Sequence, residues 1–204
     1  MSMQKLWNDK YSRDGYLYGK EPNAFLKEQL KNIKKESSIL FLGEGEGRNA
    51  CYAASLGFKT TALDASDIGI SKCQELAKAY HVNVTTLHVD LAHWKAEQKF
   101  DVVMSSFLHL QEPLRTHAFS QAIQALKSNG LFIAEFFSQK QLPLSSGGPK
   151  DLSLLYDAQE LQELFLKLDV TPYLISEVID ELDEGAGHQG EAQLIRVIVK
   201  KNSR

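Results

Sequence analysis

The chain has 204 residues, 43% of them hydrophobic, and a formal net charge of −3, which suits one domain with a sizeable core. No Lys/Arg cluster is dense enough to track a nucleic-acid backbone and no apolar run reaches membrane-spanning length. The polar, aromatic N-terminus is unlike a signal peptide. Cys51 and Cys73 are the two cysteines; they lack zinc-ligand spacing and the number for a disulfide framework. They are expected to be reduced, packed thiols of a cytoplasmic protein without a metal site.

In chain order, Trp7, Tyr11, Tyr16 and Tyr18 fall without clear periodicity over residues 7–23. This aromatic arm is expected to pack as a latch or to close as a lid over a ligand. Asn23 is placed to cap a helix running to about Ile33, with Phe25, Leu26 and Leu30 on one face. An apolar run, Ile39 to Leu42, then stops at three alternating glycines, Gly43, Gly45 and Gly47, before a helix-compatible segment over 48–56. A second strand, 58–63, ends at Asp64, and Ser66 caps a helix to about Ala79 carrying Ile70, Cys73, Leu76 and Ala77 at helical spacing. A third strand, 82–89, ends at Asp90, and a fourth covers 100–106. Pro113 sits at the start of a helix to Ser128, which Asn129-Gly130 ends before a strongly apolar fifth strand, 131–137.

Residues 138–151, rich in Gly, Pro and Ser, read as a long irregular loop of the kind that is usually functional or disordered. Asp157 with Glu160 resembles a capping box for a helix to about Leu168. Two strand-like runs follow, 170–179 and 193–200, with a Gly- and acid-rich loop, 180–192, between them. Strands alternating with helices predict an α/β fold, a mainly parallel sheet covered on both faces. There is no internal repeat and no second-domain linker. The division expected is an arm and helix over 1–36, acting as a lid, and a core over 37–204.

The stretch SSILFLGEGEGRN, residues 37–49, is a strand, a tight turn and a helix entry of the kind that brings backbone close to a nucleotide-like ligand. A dinucleotide fits it poorly. Its fingerprint has glycines at the first, third and sixth places, and the sixth place from Gly43 is Arg48. A pyrophosphate would also meet Glu44 and Glu46. Unit charges about 4 Å apart interact by ~4 kcal/mol at an effective dielectric of about 20, more than the roughly 0.3–1 kcal/mol a helix N-terminus returns. A ligand with positive charge and no phosphate suits the turn, and S-adenosylmethionine (SAM), with its sulfonium and ammonium, is one. Asp64 is placed to accept from both ribose hydroxyls. Asp90 can accept from an adenine amine, with Leu91 contributing backbone contact.

The order ILFLGEGEGRN, TTALDAS, VDL, FDVVMSSFLHL and LKSNGLFIAEFF resembles the class I SAM-dependent methyltransferases. The segments WNDKYSRDGYLYGKEPNAFL and EGAGHQGEAQLIRVIVKK resemble the small tellurite-resistance (TehB-like) branch. The chain departs from the pattern at Phe41, where many members have an acid, and at Glu44, where a small residue is usual. The resemblance implies a single-domain Rossmann-like fold: a seven-stranded sheet whose last strand inserts antiparallel between the fifth and sixth, with helices on both faces. It implies SAM as cofactor, bound by Gly43, Glu44, Gly45, Gly47, Asn49, Asp64, Ala65, Asp90, Leu91, Ser105, Phe107 and Tyr18. His188 and His109 are the candidate acid–base groups, and Arg48 and Arg196 are expected to pair with an acid or face the pocket.

The activity implied is in-line methyl transfer to a small-molecule acceptor: a thiol, oxyanion, metabolite or xenobiotic. The fourth strand lacks the Asn/Asp-Pro-Pro-aromatic signature of adenine and glutamine amine methylation, so no nucleic-acid partner is expected, and no membrane partner. The protein is expected as a monomer or homodimer. A nicotinamide-dependent oxidoreductase and a catalytically silent SAM-binding protein are the alternatives.

Overall fold

The computed structural model describes residues 2–203. Two helices, α1 (Met3–Tyr11) and α2 (Ala24–Leu30), precede the sheet. Then follow β1 (Ser38–Leu42), α3 (Arg48–Ser55), β2 (Lys59–Asp64), α4 (Asp67–Ala79), β3 (Val84–His88), β4 (Phe100–Ser106), α5 (Leu114–Gln124), β5 (Leu126–Phe137), α6 (Ala158–Leu166), β6 (Val170–Glu184) and β7 (His188–Lys201). The seven strands lie in the order β3-β2-β1-β4-β5-β7-β6. β7 is antiparallel to both β5 and β6, and the other pairings are parallel. The expected insertion of the last strand is therefore observed.

Central strands buried on both faces have to be apolar throughout, and β1 shows why. Leu40 and Leu42 enter the cluster holding Phe119, Phe132, Phe136 and Phe165. Ile39 and Phe41 enter the opposite cluster with Phe25, Leu26, Phe58 and Met104. The parallel strands carry their carboxyl ends, and hence the turns that follow them, to one edge.

The three expected caps are present. The Asn23 side chain accepts from the Leu26 N–H at 3.0 Å, Ser66 Oγ accepts from Gly69 at 2.9 Å, and Asp157 Oδ1 accepts from Gln159 at 2.8 Å and Glu160 at 3.1 Å. Each satisfies a backbone donor that the helix itself leaves open.

Four boundaries differ from the sequence expectation. The arm opens with a helix, α1, started by Ser2 and burying fully only Tyr11, so its apolar stripe is too narrow to register as periodic. Helix α5 stops at Gln124, and Asn129 (φ 64°) sits inside β5, where the register against β4 shifts between Phe100 and Val102. The 138–154 segment contains two short 3₁₀ turns, Gln139–Gln141 and Leu152–Leu154. Lastly, β6 and β7 run on through most of the expected 180–192 loop, pairing Asp180 with Ala192 and Glu184 with His188. Leu182, Glu184, His188 and Ala192 are buried there and Asp180, Glu181, Asp183 and Gln189 are exposed. That alternation of period two was hidden because one inward residue is a carboxylate and another an imidazole.

Candidate functional site

The turn after β1 is held by two donors, the Gly43 and Glu44 N–H groups, which share the Leu63 carbonyl at 2.9 and 3.1 Å. Glu44 then folds back on the start of α3. Its Oε1 accepts from the Asn49 and Ala50 N–H groups at 2.7 and 2.8 Å, and its Oε2 from Asn49 Nδ2 at 3.2 Å. Gly47, the residue at the cap position, has no side chain with which to do this. A helix N-terminus is a ready anion seat, and here the chain's own carboxylate fills it. Burial pushes the Glu44 carboxyl up to about 7 against the pull of these donors.

Glu46 points elsewhere. Its Oε2 accepts from the Leu17 N–H at 2.7 Å and its Oε1 from Lys72 Nζ at 2.9 Å, so it fastens the arm to α4. Gly45 and Gly47 do not line the cavity, contrary to expectation. Both take positive φ, and a Cβ on Gly45 would strike the Tyr11 hydroxyl while one on Gly47 would lie 2.5 Å from Cys73 Sγ. They let protein side chains approach the turn, while Gly43 and Glu44 face the open space.

Two connected environments lie over this edge. The smaller is a slot of about 30 Å³ among Trp7, Leu63, Ala65, Leu91, Leu108 and Leu110, with Asp64 and Asp90 also lining it. Asp64 accepts from the Gly45 and Ser66 N–H groups, one on each oxygen at 2.8 Å. Burial raises its carboxyl above the usual range despite them. Each oxygen keeps a second lone pair for a ligand. Asp90 has one oxygen on the Ala92 N–H at 2.9 Å. Ser105 departs from expectation: its hydroxyl is 2.8 Å from the Leu42 carbonyl, to which it donates inside the sheet. The neighbouring Ser106 lines the cavity instead. Asn49 is likewise structural, donating to Glu44 and to Ser106 Oγ (3.1 Å) and accepting from the Asn23 N–H at 2.9 Å.

The larger environment is a cavity of about 400 Å³ reaching from Gly43 and Asp64 to His188, with Tyr18, Phe107 and Phe137 along it. Tyr18 lies 4.4 Å from the His188 ring, Phe107 4.3 Å and Phe137 5.1 Å, between centroids. Phe107 is held at φ 53°, a strained region for a bulky residue that the surrounding packing has to enforce.

His188 opens β7, directly beyond a turn of three residues, 185–187. Its Nδ1 sits 3.1 Å from Glu184 Oε2. The same oxygen accepts from Arg48 at 2.8 Å, and Glu184 Oε1 accepts from Asn23 Nδ2 at 3.1 Å. Asn23 also donates to Glu135 at 2.7 Å, and Glu135 pairs with Arg196 at 2.7 Å. Arg48 and His188 hold the Glu184 carboxyl down at about 2. Burial lowers His188, with Glu184 pulling the other way. With a carboxylate beside it, Nδ1 is the nitrogen placed to donate its N–H to Glu184, and among the described residues Nε2 has no hydrogen-bond partner while the ring lines the cavity.

His109 is not built for proton transfer. Its Nδ1–H donates to the Leu154 carbonyl at 2.7 Å and its Nε2 accepts from the Phe137 N–H at 3.3 Å, while burial lowers its pKa to about 3. With both nitrogens on backbone, it fastens the 152–154 turn to β5. Glu184, Asn23 and Glu135 were missed as site residues. Glu135 and Glu184 carried only the signal of an acid near a strand end, and Asn23 only that of a helix cap.

Residues 39–130 match the family described as "Methyltransferase domain". A curated relative, the probable S-adenosyl-L-methionine-dependent methyltransferase TehB of Haemophilus influenzae, is 26% identical over 72 residues. That alignment spans 35% of this chain and 25% of the relative. The solved structure of TehB from H. influenzae superposes at TM-score 0.72 with 18% identity, over 98% of this chain and 67% of that one. A structure described for conversion of a disulfide bond into a thioacetal group during echinomycin biosynthesis gives 0.77 with 20% identity, over 98% and 93%. Magnesium protoporphyrin IX methyltransferase from Synechocystis, with bound SAH, gives 0.69 with 12% identity, over 98% and 97%. The chain shares its fold with these structures.

Proposed function

We propose, from the match of residues 39–130 to a methyltransferase-domain family, an enzyme that transfers a methyl group from SAM to a small-molecule acceptor. One observation carries the choice of cofactor. The anion seat at the start of α3 is filled by Glu44, and the charged residues lining the slot beside it are two carboxylates, Asp64 and Asp90. A pyrophosphate has no seat there, whereas a cationic adenosine ligand meets complementary charge. When bound, SAM supplies an electrophilic methyl on a sulfonium.

The chain's own residues then bind and orient. Asp64 accepts from ribose hydroxyls with its remaining lone pairs, and Ala65, Leu91 and Leu108 form the apolar slot for the base, with Asp90 at its edge. Glu44 and Ser106 line the methionine side, and Arg13 and Lys10 of the arm supply cations for a carboxylate. Phe107 and Tyr18 present ring faces of the kind that favour a positive centre by ~0.5–2 kcal/mol. At the far end His188 holds a lone pair ready for a proton and Glu184 fixes its tautomer. The arm covers the cavity through Trp7, Tyr11, Leu17 and Tyr18, while α2 packs Phe25, Leu26 and Leu30 into the core. In-line transfer depends chiefly on alignment, with reacting atoms about 3–3.5 Å apart.

Isothermal titration with S-adenosylhomocysteine and, separately, NADH tests this. We expect saturable binding of the first, weakened at least about tenfold in Asp64→Ala, since hydrogen bonds to a charged acceptor contribute roughly 1.5–3 kcal/mol. Binding of NADH in its place would overturn the proposal.

A further inference from the structure

We propose that the acceptor is a neutral thiol on an aromatic body and that His188 removes its S–H proton; this rests on the methyl-transfer reading and names the acceptor of the same site.

Three observations lead there. The first is the free lone pair. His188 Nδ1 is committed to Glu184 at 3.1 Å, and among the described residues Nε2 has no partner while the ring lines the cavity. A base so arranged serves an acceptor that arrives protonated at its nucleophilic atom. An inorganic oxyanion carries no such proton.

The second is the wall. Phe107, Phe137 and Tyr18 surround the imidazole at 4.3 to 5.1 Å between centroids. Backbone closes the remaining side, because a Cβ on Gly147 would lie 2.6 Å from the His188 ring and one on Gly148 2.9 Å from Phe137. Such a space favours a flat apolar body through offset or edge contacts.

The third is charge. The buried cation of the site, Arg48, is already paired with Glu184 at 2.8 Å, and Lys10 and Arg13, exposed on the arm where they line the cavity, are taken in the methyl-transfer reading by the cofactor's carboxylate. Glu44 and Asp64 also line the enclosure. An anion entering it would lose hydration with no buried cation left to offset the loss.

The strength of the base selects sulfur. Glu184, Arg48, Tyr18, His109 and Lys10 are the titratable groups acting on His188, and with burial the balance lowers it. Reference values are about 8.5 for a thiol on saturated carbon and about 10 for a phenol, so the proton of a thiol set one carbon away from the ring is the less uphill transfer. In the step proposed, the S–H proton passes to His188 Nε2. The thiolate electron pair forms the new S–CH₃ bond as the CH₃–sulfonium bond breaks, its pair staying on the departing sulfur. The imidazolium then gives its proton to water, and no oxidant or reductant is needed.

The test begins with S-adenosylhomocysteine titration, followed by turnover of the protein with SAM and phenylmethanethiol, whose S–H stays protonated at neutral pH, phenol or selenite, products read by mass spectrometry. We expect benzyl methyl sulfide from phenylmethanethiol at a kcat/KM well above phenol, and no turnover of selenite. His188→Gln should lower kcat on phenylmethanethiol about 100-fold or more with little change in KM. With para-nitrobenzenethiol, which is ionised at neutral pH, that gap should shrink to within roughly tenfold. The wild-type ranking stands independently of whether His188→Gln folds.

Binding of S-adenosylhomocysteine with selenite or phenol preferred, or with phenylmethanethiol inert, overturns the thiol while leaving methyl transfer intact. An unchanged gap between the two thiols overturns the base. Failure to bind S-adenosylhomocysteine removes the methyl-transfer reading itself.

Discussion

Two glutamates set two places apart in one turn have opposite destinies. Glu44 faces the cavity with its carboxyl pushed up to about 7, while Glu46 faces the protein and holds the Leu17 N–H and Lys72. The first has a pH consequence. A cationic ligand favours the ionised form, so binding pulls the Glu44 pKa down and affinity rises as the pH passes upward through about 7. S-adenosylhomocysteine, with its ammonium, is expected to bind about tenfold more weakly at a pH one unit below that value than one unit above it. Proton release should be visible by titration in buffers of different ionisation enthalpy. Glu44→Gln should flatten the profile; a wild-type affinity independent of pH would show that the ligand's cation lies away from this carboxylate. The sequence placed both glutamates at the ligand because only side-chain direction separates them, and direction depends on which neighbours offer donors.

At the level of elements, the arm is fastened mostly by polar contacts. Glu46 accepts from Leu17, and Lys72 Nζ donates to the carbonyls of Arg13 and Gly15 at 2.9 and 2.7 Å. Asn8 reaches Asp67 at 2.7 Å and Ser66 at 2.6 Å. Glu46→Ala leaves a buried donor and Lys72 without their partner, a loss of about 1–3 kcal/mol. Amide exchange over residues 12–19 should accelerate about tenfold or more while β1 and β4 stay protected. Uniform acceleration across the sheet would mean that the arm belongs to the core.

This scale also shows what was legible. The strands, the glycine turn and the caps at Asn23, Ser66 and Asp157 rest on neighbours a few residues apart, so local pattern exposes them. The Glu184–His188 pair rests on a hairpin whose inward positions include a carboxylate and an imidazole, which reads as a polar loop. Arg48 and Glu184 lie 136 residues apart and Asn23 and Glu184 161 apart, beyond the reach of any local pattern.

For the molecule as a whole, Glu184 is a junction. It joins Arg48 behind the glycine turn, Asn23 before α2 and His188 on β7. Glu184→Gln leaves the buried Arg48 charge uncompensated and should cost about 3–5 kcal/mol of stability at neutral pH, read as a fall in Tm. The Glu184 carboxyl sits at about 2 against an ordinary 4.5. Its contribution is therefore present above 4.5 and lost as the pH falls toward about 2, so the difference between wild type and variant should narrow over that interval. A difference that is constant with pH would mean that packing, and not charge, accounts for the loss.

The insertion of β7 between β5 and β6 has a consequence for the order in which a nascent chain matures. β6 emerges from the ribosome before β7, yet its sheet partner is the strand still to come, and that strand begins with His188. The glycine turn, Asp64 and Asp90 can take up their places while β7 is still unmade. His188, Glu184 and the anchor for Asn23 come together only once the closing strand has threaded home. The β6–β7 hairpin is local, whereas the pairing of β7 with β5 joins residues far apart in sequence and such pairing is slow to form, so during synthesis the glycine-turn side of the cavity has its residues in place before His188 is docked.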